Sequence, residues 1–204
     1  MRKKLLAAAA LVLLLTAAVA AWRLLSRPPE QEQAQALLAA AWSEAGYGFQ
    51  AQAQVELEDA VSEYFDLQGR VEGDNSQVSG VVLGQEVELR YHDGLLRRRL
   101  GDGAWSEHAV ADLGSAGELY AELLPQAAFA YQGVDAYACA AQEGGWALTL
   151  TPRQALGWVG QYFRDVRYVL YCDRWGRELR ALELRATEKI NGQAGLVLRV
   201  TLED

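Results

Sequence analysis

The residues able to do chemistry are few and widely spaced. The chain of 204 residues holds two histidines and two cysteines. His108 has Glu107 beside it and Asp112 four residues on, a set that could hold a metal or move a proton if a helix brought it together. The surrounding pattern predicts a strand end instead, where neighbours point apart, and surface residues at a turn are the simpler reading. His92 and Asp93 belong in the same way to the wet face and turn of a hairpin. Glu56 with Glu58, and Glu86 with Glu88, place carboxylates on one strand face, usable for acid and base work, but that face is the one turned to water. The sequence has no Gly-x-Ser-x-Gly and no phosphate loop. It therefore predicts a non-catalytic protein with no metal site and no cofactor.

Two further groups remain. Cys139 and Cys172 lie on predicted strands, and in an oxidising compartment they would either pair or stay free and buried, the bond needing α carbons roughly 4–7 Å apart. Arg97, Arg98 and Arg99 are consecutive on a strand and must point to both faces, which fits an edge position or a wet rim. They could meet a phosphorylated head group or an acidic partner, or act as charges that block edge-to-edge aggregation.

The elements that position these residues are mostly strands. Tyr47, Phe49, Ala51, Ala53, Val55 and Leu57 alternate with glycine, glutamine and glutamate, giving one apolar and one wet face. Phe65, Leu67, Gly69 and Val71 repeat the pattern, as do Val87, Leu89 and Tyr91. Gly73-Asp74-Asn75, Leu83-Gly84-Gln85 and Asp93-Gly94 supply turns about every ten residues. An antiparallel meander follows, continued by Val134 to Ala141, Trp146 to Leu150, Tyr168 to Cys172, Glu178 to Ala186 and Gly195 to Leu202. Three helices are predicted: Ala34 to Ala45; one opened by the capping pair Ser115 and Glu118 and ended by Pro125, with Leu119 and Leu123 on its apolar stripe; and one opened by Thr151, Pro152 and Gln154 and running through Leu156, Val159 and Phe163.

Charge and the first residues set the location. Leu5 to Trp22 is apolar but for Thr16 and follows Arg2, Lys3 and Lys4, so residues 1–27 read as a signal anchor, or as a cleaved signal after Ala18-Val19-Ala20. Residues 28–35, with Pro28 and Pro29, read as a polar tether, and 36–204 as a single domain. The chain has 19 basic and 27 acidic residues, and five of the basic ones fall before residue 28. The remainder carries 14 against 27, a balance near −13 that argues against nucleic acid as a partner. The domain is expected on the extracytoplasmic side of a cell membrane, or secreted or periplasmic if the signal is removed.

The order of these elements resembles the outer-membrane lipoprotein carrier superfamily (LolA-like) and the similar mycobacterial lipoglycan carriers. The resemblance rests on Tyr91-His92-Asp93-Gly94-Leu95, Asp102-Gly103-Ala104-Trp105, Leu148-Thr149-Leu150-Thr151-Pro152 and Asp173-Arg174-Trp175-Gly176, spread in order over residues 34–204. It implies an α+β fold: a strongly curved antiparallel sheet, an incomplete β barrel, covered by a few short helices, with acyl chains held on the apolar side. In this chain that cavity would be lined by Phe49, Ala53, Val55, Phe65, Leu67, Val87, Leu89, Leu119 and Leu123, with alanines at 51, 53, 136, 138 and 140 thinning the inner face. The implied function is a membrane-anchored lipid or lipoprotein carrier, acceptor or sensor, its partner a lipid or acylated protein. The alternative is an envelope or sporulation assembly module with a packed core and a protein partner.

Overall fold

A computed structural model describes residues 27–42, 46–58, 60–109 and 124–203. Eleven strands form one sheet: β1 (Tyr47–Leu57), β2 (Ala60–Glu72), β3 (Asn75–Val82), β4 (Gln85–His92), β5 (Leu95–Leu100), β6 (Ser106–Ala109), β7 (Tyr131–Gln142), β8 (Gly145–Ala155), β9 (Phe163–Asp173), β10 (Leu179–Glu188) and β11 (Gly195–Glu203). Their order is β6-β5-β4-β3-β2-β1-β11-β10-β9-β8-β7, and every neighbouring pair is antiparallel. The first and last long strands meet in the middle, joining two meanders, while β6 and β7 are left as edges of a barrel that does not close. Among the described residues three short helices accompany the sheet: α1 (Gln31–Ala40), α2 (Pro125–Ala128) and α3 (Gly157–Tyr162).

Local chemistry explains most of the turns. Asp93 and Gly94 have φ of 48° and 78°, the paired left-handed conformation whose twist suits a two-residue hairpin. Leu83 and Gly84 adopt the same pair at 50° and 77°, the cost of a left-handed leucine being carried by the strands it joins. Bulges interrupt the ladders opposite Ala53 and Gln54, between Val134 and Ala136, and twice along β10. Each adds local bend and twist.

The core lies on one face. Phe49, Ala51, Leu148, Leu150, Tyr168, Leu170, Leu182, Leu184, Leu198 and Val200 are buried there. Leu38 and Ala34 of α1 pack on β8, and Val159 of α3 closes over β8 and β9. The Phe129 ring after α2 meets Tyr168 at 5.3 Å and Trp42 at 5.8 Å, and the Tyr168 hydroxyl donates to the Ala130 carbonyl at 3.2 Å.

Several sequence expectations are corrected. Thr151, Pro152 and Gln154 do not cap a helix: they continue β8, paired with Ala136, Val134 and Gln132 of β7. The cap motif is local, and pairing with a long neighbouring strand overrides it. The pairing of β8 with β9 ends at Leu150 and Tyr168, so the missing N–H of Pro152 costs nothing on that side. Only Gly157–Tyr162 is helical there. Ala136, Ala138 and Ala140 are exposed and outward, because the bulge after Val134 shifts the alternation and brings Tyr137 and Cys139 inward instead. Pro125 opens α2 at its first turn. Helix α1 starts at Gln31, inside the stretch expected to be a tether, and Pro29 is buried with its carbonyl accepting from the Tyr137 hydroxyl. The predicted helix over 115–124, with Leu119 and Leu123, falls almost wholly outside the described residues, as do Asp112 and the apolar segment 1–26. Among the described residues no helix is long and apolar enough to cross a membrane.

Candidate functional site

The inner face is built by register. Ala53 stands opposite Phe65 and Phe65 opposite Val82; Ala51 leads through Leu67 and Gly80 to Val87; Phe49 leads through Gly69 and Val78 to Leu89. The predicted strand residues therefore do lie on one continuous face. Phe49, Ala53, Phe65, Leu67 and Leu89 are buried, whereas Val55 and Val87 are half-buried. Gly69 is needed where it stands, since a β carbon there would come within 2.7 Å of the Phe49 ring. Ala53 is 0% exposed between Phe65 and Leu198, so it sits in the tightly filled part of the face.

Covering is uneven along this face. Helix α1 packs on β8 and α3 on β8 and β9, while α2 packs on α3, its Gln126 accepting from the Tyr47 hydroxyl of β1 at 3.1 Å. On β3 to β5, Val82, Val87 and Tyr91 are only partly buried and Leu100 is 42% exposed. Sequence reasoning missed β3 and the inward residues Val78, Val82, Leu96 and Leu100. The spacing of Val78, Gly80 and Val82 was the signal available for β3. Two cavities lined by described residues are polar and lie outside this face: one of about 410 Å³ beside Gln50, Gln52, Asp66 and Ser79, and one of about 400 Å³ beside Arg27, Glu30 and Trp175.

The chemical groups do not converge. Glu107 pairs with Arg97 on the outer face, while His108 stands opposite Leu96 on the inner side. His92 is held by Asn75 at 2.7 Å and Asp93 at 3.0 Å, exposed at a hairpin end. Among the described residues no three of His, Cys, Asp and Glu are grouped to hold a metal ion. Cys139 and Cys172 are free. Strand β8 lies between them, Cys139 facing Leu148 and Cys172 facing Trp146, so two strand spacings put their α carbons about 10 Å apart or more, beyond a disulfide's reach. Burial pushes the Cys172 thiol up to about 11, with Asp173 and Cys139 adding to it, and burial also raises Cys139. Both are protonated at neutral pH and are poor nucleophiles.

Behind the filled part, on the outer face, Glu183 is 0% exposed and accepts from Arg185 Nε at 2.6 Å and Arg199 Nη2 at 2.8 Å. Burial pushes its carboxyl up, but the hydrogen bonds from Arg199 and Arg185 outweigh that and hold it below the ordinary range. The arginine run of β5 is divided between the faces. Arg97 pairs with Glu107 and Arg99 with Glu88, and the Trp105 ring lies 4.8 Å from the Arg90 guanidinium and 5.2 Å from that of Arg99. Arg98 points the other way, opposite Leu89. Strand β5 is next to the edge; the edge itself is the four-residue β6.

The architecture defines the class: an open, antiparallel incomplete barrel with a largely apolar inner face. No family model and no curated protein match the chain. Among solved structures it is similar to a LolA superfamily protein from Nitrosomonas europaea, at 10% identity and a TM-score of 0.35, covering 83% of this chain and 93% of that one. It is also similar to a domain from Vibrio parahaemolyticus described as outer membrane lipoprotein-sorting, at 12% identity and a TM-score of 0.29, covering 85% of this chain and 89% of that one.

Proposed function

We propose that this domain binds an acyl chain, free or attached to a polypeptide, against the inner face of β2 to β5, and works as a lipid or lipoprotein carrier, acceptor or sensor without catalysis. The observation that carries the reading is the uneven cover: a largely apolar face, filled over β8 to β11 and partly open at Val82, Val87 and Leu100. Each methylene laid on such a surface contributes about 0.8 kcal/mol, so a chain of roughly ten carbons outweighs the cost of ordering it. Leu119 and Leu123 are the sequence's candidates for the opposite wall.

Exposed apolar side chains gather at one end of the strands, with Leu57, Val61, Leu83 and Leu100 at the turns or strand ends there and Ile190 in the loop before β11. That end is where a chain would pass between a bilayer and the inner face. Residues 1–27, read as a signal anchor, would hold the domain beside that bilayer outside the cytoplasm. Native mass spectrometry of the full chain purified from membranes tests the proposal. A copurifying lipid mass, displaced by added fatty acid, is the expected result. Repeated absence of lipid, with no displacement of a bound dye by fatty acids, would return the protein to the packed module with a protein partner.

A further inference from the structure

The three consecutive arginines of β5 have different surroundings, and the difference points to a ligand. Arg97 and Arg99 lie on the outer face and each has a carboxylate partner, Glu107 and Glu88. Arg98 faces inward. Its register partner is Leu89, 6% exposed, and Leu96 and Leu100 flank it two residues away on the same face. Along the inner positions of β1 to β6 every other side chain is uncharged, His108 being the only other titratable cation-former. Arg98 is exposed and has no carboxylate among the described residues. The Ser106 hydroxyl fixes the strand beneath it by donating to the Arg98 carbonyl at 3.2 Å.

A lone cation set in an apolar face is stable while water reaches it. Covering that face with a hydrocarbon chain strips the water away, and the charge then needs a partner. An acyl chain with an anionic end supplies both at once, and the planar guanidinium matches carboxylate and phosphate oxygens through two parallel hydrogen bonds. The position also fits a molecule running along the face, because Val87 and Val82 continue the apolar surface away from Arg98 towards β2. We propose that Arg98 receives the oxyanion head group, carboxylate or phosphate, of an acyl amphiphile whose chain lies on Val87 and Val82. This rests on the acyl-chain reading above and adds the polarity and direction of the ligand.

The test compares probes of one chain length: laurate, dodecyl phosphate and the uncharged glycerol monoester of laurate, each displacing a bound fluorescent dye from the full chain below its micelle concentration. The wild type should bind the two anions about tenfold more tightly than the ester. Arg98→Gln should erase that preference while leaving ester binding and the melting temperature in place, Arg98→Lys should keep most of it, and Arg97→Gln on the other face should change nothing. Inorganic phosphate at the same concentration should not compete, which separates a head group from a free ion. A preference retained by Arg98→Gln overturns the proposal, as does inorganic phosphate competing as well as dodecyl phosphate. If the three chains bind the wild type equally, Arg98 has no such role and the acyl-chain reading stands; if none binds, both fall.

Discussion

The two halves of the sheet are made from the same alternation and finished differently. In β8 to β11 the inward leucines Leu148, Leu150, Leu170, Leu182, Leu184 and Leu198 are at most 2% exposed, under α1, the Phe129 turn and α3. In β3 to β5 the inward positions mix valine, glycine, serine, glutamine, tyrosine and an arginine with three leucines; Val78, Leu89 and Leu96 are at most 8% exposed, and exposure rises to 42% at Leu100. One half is a core closed by large side chains; the other keeps a buried centre at Val78, Leu89 and Leu96 and opens along its margin at Val82, Val87 and Leu100. Where no bulge intervenes, alternation therefore tells which side of a strand faces inward, and side-chain size and cover decide whether that side is filled.

Substitutions can break this contrast in order of effect. Leu184→Asp places an unpaired charge where exposure is 0% and should cost several kcal/mol, enough to leave little folded protein. The same change at Leu100 should cost about 1 kcal/mol or less, as read by urea denaturation. Equal losses would mean that the second half is as closed as the first.

Glu183 tests whether the filled half is also fixed from behind. Glu183→Gln should destabilise by about 2–3 kcal/mol, because the buried carboxylate holds two arginines that are themselves mostly exposed. Its carboxyl is held below the ordinary glutamate value of 4.5 in the folded state. The stabilisation is thus complete above that value and is lost as pH falls below it through the folded value. The gap between wild type and Glu183→Gln should be widest near neutral pH and shrink as the pH falls below the ordinary glutamate value of 4.5. A gap that stays constant would show that the carboxylate charge is not what matters.

Smaller changes sharpen the boundary. Ala53→Leu enlarges a side chain in the filled region and should cost about 1–3 kcal/mol by overpacking, whereas Val87→Leu on the open side should cost less than half as much. Thermal melts of the two variants side by side decide it. Ala140→Lys should shift stability by about 0.5 kcal/mol or less, since that alanine is exposed on the outer face. A large loss would put β7 back in the register that simple alternation suggests.

That last case shows where the sequence stops being legible. In the first meander β1, β2 and β4 could be read from period two and from Asp93-Gly94, because both are local signals, while β3 was missed. At β7 the alternation continues through Val134, Ala136, Ala138 and Ala140, yet one bulged residue turns the alanines outward, and no local feature announces the bulge. Thr151-Pro152 reads as a helix start because capping is local, while the strand it joins is decided by β7. The shared inward face of Phe49, Ala53, Phe65, Leu67 and Leu89 was recoverable because these residues follow the first meander's pattern. Which of the three arginines turns inward was not, since the face of Arg98 is fixed only by pairing with Leu89.

The central claim is that the open half of the inner face, and not the filled half, holds an acyl chain. The most direct measurement is photo-crosslinking of the full chain with a fatty acid carrying a diazirine along its chain, followed by peptide mapping. The account expects adducts on β3 to β5, at Val82, Val87, Leu89 and Leu100, competed by unlabelled fatty acid. Adducts confined to β8 to β10, or labelling that unlabelled fatty acid does not reduce, would contradict it.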